Sequence, residues 1–223
     1  MMIAENLQRI RATLKPQVRL VAVSKFHPVE ALQEAYDTGQ RIFGENHVQE
    51  LVAKEEVLPK DIEWHFIGHL QTNKVKYIAR FVSLIHSVDS IKLLKEINKQ
   101  AEKCGRTIDV LLQIHVAKEE TKFGFTSEEV VEMLAEGEWK TCSHVRIVGL
   151  MAMATNTDNV AQITEEFETV RQLSDTLKER FFADEPAFKE ISMGMSGDYL
   201  IAQEHGSTMV RVGSQIFGER IYH

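Results

Sequence analysis

Short apolar segments alternate with longer segments of helical period along most of the chain. From residue 18 onwards, runs rich in Val, Ile and Phe are each followed by a stretch whose apolar residues recur every three or four positions. This alternation is typical of parallel strands that are connected and covered by helices. Eight segments fit buried strands: residues 18–24, 41–44, 62–67, 81–86, 108–115, 144–150, 188–193 and 208–212.

The segments between these strands carry helix signals. A stripe of apolar residues predicts an N-terminal helix at about residues 2–14, and a longer stripe predicts a helix over residues 158–182. Three further segments have a start residue before them and a glycine after them: Pro28 and Gly39, Ser90 and Gly105, and Thr126 or Ser127 and Gly137.

Eight parallel strands can form either an open doubly wound sheet or a closed barrel. The first strand lacks the Gly-x-Gly-x-x-Gly turn of the doubly wound nucleotide-binding folds, and the sequence ends soon after the eighth strand. We therefore predict an α/β fold with a single (β/α)8 TIM barrel at about residues 18–220, in one domain over residues 1–223. Active sites of such barrels lie at the carboxyl ends of the strands.

Composition narrows the classes of function. The formal net charge of −7 gives no broad basic field, so nucleic acid is not an expected partner and any phosphate site must be local. Cys104 and Cys142 lack metal-ligand spacing, which predicts free thiols and no metal. No apolar leader or membrane-length apolar run occurs, so we expect a cytoplasmic protein without membrane contact.

The end of the first predicted strand carries a lysine. Lys25 follows an apolar run, at the expected mouth of the barrel. Partial burial lowers the pKa of an amine and lets it attack an aldehyde to form a Schiff base. From position alone, a lysine that extends to solvent from a strand end is the more common situation.

Glycine and serine turns follow the last two predicted strands. Residues 192–198 read SMGMSGD and open a helix, and residues 211–214 read RVGS. Glycines let a phosphate approach backbone N–H groups, serines donate hydrogen bonds, and barrels often bind phosphate after strands seven and eight. The alternative is that they are ordinary turn and helix-cap residues.

Other polar residues stand near the remaining strand ends. Asn46 either contacts a ligand or caps the next helix, and His65 fits a hydrogen-bonded core histidine. His69 is better placed to approach a ligand. The turn at residues 122–125 and the methionines at 151–153 are expected to line the mouth of the barrel.

Seven motifs in order give the chain a family resemblance. They are VAVSK at 21–25, FGENHVQE at 43–50, HFIGHLQTNK at 65–74, KFGF at 122–125, GLMAM at 149–153, SMGMSGD at 192–198 and VRVGSQIFGER at 210–220. The chain closely resembles the pyridoxal phosphate homeostasis protein family, whose members are similar to the barrel domain of alanine racemase standing alone.

The resemblance implies a cofactor, pyridoxal 5'-phosphate, and a role for each matching residue. Lys25 would be the internal-aldimine lysine, Arg211 would face the pyridine nitrogen, and Asn46 would lie beside the ring. Two methionines, Met193 and Met195, would lie close by. The cofactor phosphate would be held by Ser196, Gly197, Gly213 and Ser214. His47 and His115 depart from the residues frequent in the family, which affects only the finer shape of the pocket.

The same resemblance favours a carrier over an enzyme. An arginine keeps the pyridine nitrogen unprotonated and so weakens carbanion chemistry, and the β-rich second domain of alanine racemase has no counterpart in the sequence given. We expect a monomer that sequesters pyridoxal phosphate or delivers it, with apo enzymes that need it as candidate recipients. The alternatives are a pyridoxal-phosphate racemase or lyase, and a sugar-phosphate aldolase that needs no cofactor.

Overall fold

The computed structural model describes residues 2–118 and 123–218. Eight parallel strands form a closed barrel in chain order, and β8 pairs with β1 to complete it. The prediction of a (β/α)8 barrel is therefore confirmed. The strands are β1 Arg19–Val23, β2 Ile42–Glu45, β3 Glu63–Phe66, β4 Leu84–Val88, β5 Ile108–Ile114, β6 Val145–Ala152, β7 Glu190–Ser192 and β8 Met209–Val212.

Helices cover the barrel and connect its strands. They are α1 Met2–Thr13, α2 Val29–Asp37, α3 Val48–Val57, α4 Val75–Ile78, α5 Ile91–Lys103, α6 Ser127–Glu136, α7 Val160–Phe181, α8 Tyr199–Glu204 and α9 Ser214–Phe217. Two 3-10 turns, Thr72–Lys74 and Glu138–Thr141, precede α4 and follow α6. The predicted N-terminal helix and the predicted helix over 158–182 are both confirmed.

The helix signals are borne out by cap geometry. Ser90 accepts the backbone N–H of Leu93 at 3.3 Å at the start of α5. Thr126 forms a reciprocal capping box with Glu129 at the start of α6, and Gly137 ends that helix in the left-handed conformation. Pro28 is the N-cap of α2 and not its first residue, so this helix begins one residue later than predicted.

The fourth predicted strand was placed too early. We predicted residues 81–86, whereas β4 is Leu84–Val88. The backbone N–H groups of Phe81 and Val82 both donate to the carbonyl of Ile78, so these two apolar residues close α4 instead of joining the sheet. Apolar content alone does not distinguish a buried helix end from a buried strand start.

The core has an outer and an inner part. The outer cluster fills the space between barrel and helices and includes Leu20 and Ala22 of β1. Val21, between them in sequence, belongs to a smaller inner cluster. Side chains of a barrel strand alternate between the outside and the inside of the barrel, so few apolar residues fill the interior. The inner cluster consists of Val21, Leu84, Leu111, Val148, Met151 and Met209.

The structure also bears on the predictions from composition. Cys104 is exposed and Cys142 is buried, and both are free thiols as predicted. In residues 2–118 and 123–218, no group of His, Cys, Asp and Glu side chains is arranged to hold a metal ion. Within the same ranges, no helix has the length and apolarity that a bilayer crossing requires.

Candidate ligand-binding site

A cavity of about 280 Å³ opens at the carboxyl ends of the strands. Its walls come from the segments after β1, β2, β3, β6, β7 and β8, which a barrel brings together at one end. Seven of the eight predicted site residues lie in its wall. They are Lys25, Asn46, Ser196, Gly197, Arg211, Gly213 and Ser214.

The eighth predicted residue, Met193, is not part of the cavity wall. Its side chain is fully buried in the outer core, whereas Met195 lines the cavity. Gly194 lies between them with φ of +95°, a left-handed conformation that turns the chain after β7. The sequence motif places both methionines near the ligand, but it does not show which of them faces the cavity.

Lys25 is held in a tight turn directly after β1. The N–H of His27 donates to the carbonyl of Ser24 at 3.1 Å, and the N–H of Ser24 donates to the carbonyl of Gly44 at 3.0 Å. Phe26 adopts a positive φ of 64°, which is uncommon for a large side chain and costs on the order of 1–3 kcal/mol. Such a turn persists only where surrounding contacts hold it.

Those contacts come from a buried polar cluster, which we call the lysine-turn cluster: Ser24, Glu45, Glu50 and Lys54. The Lys54 ammonium donates to the carbonyl of Ser24 and to one carboxylate oxygen of Glu45 and of Glu50, each at 2.7 Å. The Ser24 hydroxyl donates to the same Glu45 oxygen at 2.6 Å. The Glu50 oxygen also accepts the N–H of Phe26 at 2.7 Å. The cluster therefore fixes both sides of the Lys25 turn.

Burial dominates the electrostatics of this cluster. Glu45 is completely buried, and burial raises the pKa of its carboxyl to about 7 against the opposing charge of Lys54. Its second oxygen, Oε2, is buried without a hydrogen-bond partner among the described residues. Glu45 and Glu50 belong to a sequence motif, but the motif does not show that they interact. Lys54 was not predicted, because nothing in a helical pattern shows that this lysine turns inward.

Arg211 lies in the cavity wall on β8 with almost no exposure. Its guanidinium donates to the carbonyl of Ser192 at 2.8 Å, to the hydroxyl of Ser192 at 2.6 Å and to the carbonyl of Ala152 at 2.9 Å. Burial lowers its pKa to about 10, partly offset by Asp198, so the group is still charged at neutral pH. Three neutral acceptors hold this cation in one orientation.

The two glycine-serine turns meet at the same part of the cavity. The backbone N–H of Gly213 donates to the hydroxyl of Ser196 at 3.4 Å, and the Gln215 side chain donates to the carbonyl of Ser196 at 2.7 Å. A Cβ atom on Gly213 would lie 2.9 Å from the carbonyl oxygen of Val23, so only glycine fits without a backbone shift. Neither serine serves as the N-cap of α8 or α9, which removes the cap interpretation for these two residues.

Asn46 faces the cavity and does not cap a helix. The N-cap of α3 is His47, which makes no side-chain cap bond. The Asn46 Oδ1 atom is buried without a hydrogen-bond partner among the described residues. The ligand-contact interpretation of Asn46 therefore fits the geometry, and the capping alternative is wrong.

The remaining predicted residues lie apart or take other roles. His69 does not line the cavity, because its ring stacks on Phe123 and its Nδ1 lies 3.2 Å from a carboxylate oxygen of Asp89. Met153 lines the cavity, whereas Met151 lies in the inner core. Lys122 lies outside the described residues.

One ionisable residue of the described cavity wall was not predicted from the sequence. His27 is buried beside Lys25, and its ring stacks against Phe217 with centroids 5.0 Å apart. His47 and His115 do not line the cavity. His65 is a buried, hydrogen-bonded core histidine, as predicted.

Comparison with known proteins identifies the family. Residues 2–221 match the family model described as alanine racemase, N-terminal domain. A pyridoxal phosphate homeostasis protein of Aquifex aeolicus is 41% identical over 206 residues, which cover 92% of this chain and 88% of that protein. One of Schizosaccharomyces pombe is 42% identical, with 91% and 84% covered. The chain belongs to the pyridoxal phosphate homeostasis protein family.

Solved structures agree with this membership. PipY of Synechococcus elongatus, described without pyridoxal phosphate, has a TM-score of 0.90 and 38% identity over 97% of this chain and all of that one. PipY with pyridoxal phosphate bound has a TM-score of 0.87 and 37% identity over the same shares. Alanine racemase of Clostridium difficile is 17% identical with a TM-score of 0.80 over 98% of this chain and 56% of that chain, and it shares the fold.

Proposed function

We propose that this family member binds pyridoxal 5'-phosphate for its homeostasis and holds it covalently on the amine of Lys25. The observation that carries the proposal is that one cavity brings together a primary amine, a buried arginine and two glycine-serine turns. A pyridoxal-phosphate-bound structure of PipY, 37% identical to this chain, supports the choice of ligand.

The chemistry of the cavity wall fits this cofactor. Asn46 lines the cavity and supplies an amide side chain to its wall. Gly213 keeps the backbone open where a Cβ atom would crowd Val23. Ser196 and Ser214 supply hydroxyl donors for a phosphate, and Arg211 supplies N–H donors for a ring nitrogen.

The cofactor supplies an aldehyde that condenses with a primary amine, with loss of water, to give an imine. The chain's own residues bind and orient. The lysine-turn cluster fixes the backbone on both sides of Lys25 and so aims its amine at the cavity. Ser196, Gly197, Gly213 and Ser214 bind the phosphate, and Asn46 contacts the ring. Arg211 donates to the ring nitrogen and cannot give up its own proton near neutral pH.

This arrangement favours binding and transfer over turnover. A donor-only arginine leaves the ring nitrogen unprotonated and makes the cofactor a weak electron sink. The described part of the cavity wall contains no carboxylate and no tyrosine that could exchange a substrate proton. We propose that the protein sequesters pyridoxal phosphate, or delivers it to apo enzymes when another amine displaces Lys25, and that it does so as a cytoplasmic monomer.

One observation favours a second candidate function. His27 places an imidazole in the cavity wall beside Lys25, and imidazoles exchange protons with substrates near neutral pH. A pyridoxal-phosphate racemase or lyase would use such a group. Loss of α-deuterium from a labelled amino acid at ordinary enzymatic rates, on the order of 1–1000 per second, would establish this candidate and remove the carrier proposal.

The visible absorption spectrum of the purified protein tests the binding proposal. It is recorded after incubation with pyridoxal phosphate and removal of the unbound cofactor by gel filtration, before and after borohydride reduction, for the parent, Lys25→Ala and Lys92→Ala. Lys92 is exposed on α5 and provides a matched control. We expect an absorption band in the parent and the control that reduction abolishes, and its loss in Lys25→Ala. A parent protein whose spectrum is unaffected by pyridoxal phosphate would overturn the proposal and leave a phosphate-binding barrel, as in the aldolase alternative.

A further inference from the structure

A line of buried side chains leads from Arg211 through the barrel interior. The Arg211 guanidinium lies 2.6 Å from the Ser192 hydroxyl, which lies 2.9 Å from Nδ1 of His86. Nε2 of His86 lies 3.0 Å from Nδ1 of His65. These four residues come from β8, β7, β4 and β3 and are at most 4% exposed. We call them the arginine chain.

The arginine chain joins the two ends of the barrel. Arg211 lines the cavity at the carboxyl ends of the strands. His65 lines a different cavity, of about 360 Å³, whose other walls include Arg19, Glu63 and Glu190 at the first residues of their strands or next to them. His65 is predicted from the sequence as a core histidine, whereas His86 is not, because its contacts depend on the register of β3 against β4 and on Ser192 across the barrel.

Hydrogen-bond chemistry gives the arginine chain a direction. A guanidinium has only donors, so the Ser192 oxygen accepts from Arg211. His86 is the only other described partner of that hydroxyl, so the serine hydrogen is satisfied only when it is donated to Nδ1 of His86. His86 then carries its proton on Nε2 and donates it to Nδ1 of His65. Both histidines are therefore neutral, with the proton on Nε2.

The surroundings keep both histidines neutral. Burial lowers the pKa of His65 to about 3, with a contribution from Arg19. Burial also lowers the pKa of His86 well below its usual value, and the neighbouring His65, Arg211 and Arg19 act in the same direction. A proton added to either imidazole ring would make two hydrogen-bond donors face each other within the arginine chain.

The arginine chain cannot carry protons to the cavity. It ends in a guanidinium that has no free pair of electrons to accept a proton, so a proton cannot pass from His86 through Arg211. The arginine chain instead provides a fixed acceptor, the Ser192 hydroxyl oxygen, for one edge of the Arg211 guanidinium. The carbonyls of Ser192 and Ala152 hold the same group through its other N–H bonds.

We propose that Ser192, His86 and His65 are positioning residues that hold Arg211 as a rigid hydrogen-bond donor to the ring nitrogen of pyridoxal phosphate. This inference rests on the proposed function, because it assigns the ring nitrogen as the ligand atom that Arg211 meets. It goes beyond that function in extending the binding site from the cavity wall through the barrel interior to His65.

The direction of the arginine chain is tested without any ligand. Nitrogen-15 NMR of the histidine-labelled protein distinguishes the two neutral forms of each ring by the chemical shifts of Nδ1 and Nε2. We expect His65 and His86 to be neutral at pH 7 with the proton on Nε2. A proton on Nδ1 of either ring, or a charged ring, would overturn the inference whether or not the protein binds pyridoxal phosphate.

The positioning role is tested by Ser192→Ala, which removes one acceptor and leaves the backbone carbonyls in place. The control is Ser207→Ala, another buried serine, whose hydroxyl donates to backbone carbonyls between β7 and β8 and makes no contact with Arg211. Equilibrium binding is measured with pyridoxal phosphate and with an analogue that carries C–H in place of the ring nitrogen.

We expect Ser192→Ala to weaken pyridoxal phosphate binding roughly 2- to 10-fold, the range for one hydrogen bond, and to leave binding of the analogue unchanged. Ser207→Ala should alter neither. Equal losses for both ligands, or no loss for either, would contradict the positioning role. If the parent fails to bind pyridoxal phosphate, both the proposed function and this positioning role are wrong. The NMR result still decides the direction of the hydrogen bonds in the arginine chain.

Discussion

Two buried polar systems each support one residue of the same cavity wall, Lys25 or Arg211, and they balance charge in different ways. The lysine-turn cluster places the Lys54 ammonium against the carboxyl groups of Glu45 and Glu50 and holds the Lys25 turn from outside the barrel. The arginine chain gives a permanent cation only neutral acceptors and runs inside the barrel. Both keep one group aimed at the cavity. From this comparison we expect the polar groups behind Lys25 and those behind Arg211 to respond differently to protons.

The direction of that response follows from the pKa of each group. Burial raises the pKa of Glu45 to about 7, so folding favours its protonated form. Burial lowers the pKa of His65 to about 3, so folding favours its neutral form. By linkage, the contribution of Glu45 to stability is lost as pH rises, and that of His65 is lost as pH falls.

The largest expected effect comes from breaking the lysine-turn cluster with Lys54→Met. The substitution leaves Glu45, Glu50 and the Ser24 carbonyl without their shared donor. Removal of one partner of a buried ion pair costs about 3–5 kcal/mol, so we expect that loss in the free energy of unfolding at pH 8. Urea denaturation measures it, with Lys92→Met as the exposed control. A loss below about 1 kcal/mol would show that the cluster does not hold the turn.

The next effect separates the arginine chain from the cluster by acid. In the unfolded state a histidine binds a proton below about pH 6.5, whereas folded His65 does so only near pH 3. We expect His65→Gln to reduce the loss of stability on acidification by about 1.4 kcal/mol per pH unit below pH 6.5. Denaturation at pH 7, 6 and 5 measures this slope.

The third effect is limited to the window between pH 4.5 and pH 7 and has the opposite sign to that of His65. The unfolded Glu45 carboxyl loses its proton near pH 4.5 and the folded one near pH 7, so between these values only the folded state keeps it. The difference between the two pKa values corresponds to about 3 kcal/mol at most. We expect the stability of the parent to fall relative to Glu45→Gln as pH rises from 4.5 to 7 and to stay constant above. A relative rise over that window would contradict a protonated Glu45.

The parts of this protein that sequence could predict are those set by local pattern. Alternating apolar runs identify eight strands, and a barrel brings their carboxyl ends together, so Lys25 and the two glycine-serine turns could be placed at one site. Capping residues such as Ser90 and Thr126 follow equally local rules.

The parts that sequence could not predict depend on long-range contacts. Met195 lines the cavity and Met193 is buried in the outer core, a difference that the motif containing both methionines does not show. From its sequence position Lys54 is an ordinary surface residue of a helix, and only the folded structure places Glu45 against it. The contact between His65 and His86 depends on the register of β3 against β4, and the contact between His86 and Ser192 crosses the barrel, so no periodicity within a strand reveals either one.

The most direct test of the central claim is a peptide map of the parent protein after borohydride reduction with one equivalent of pyridoxal phosphate. The account predicts that the reduced adduct, located by mass spectrometry, lies on Lys25 at close to one per chain. An adduct spread over exposed lysines such as Lys92, or no adduct at all, would contradict it.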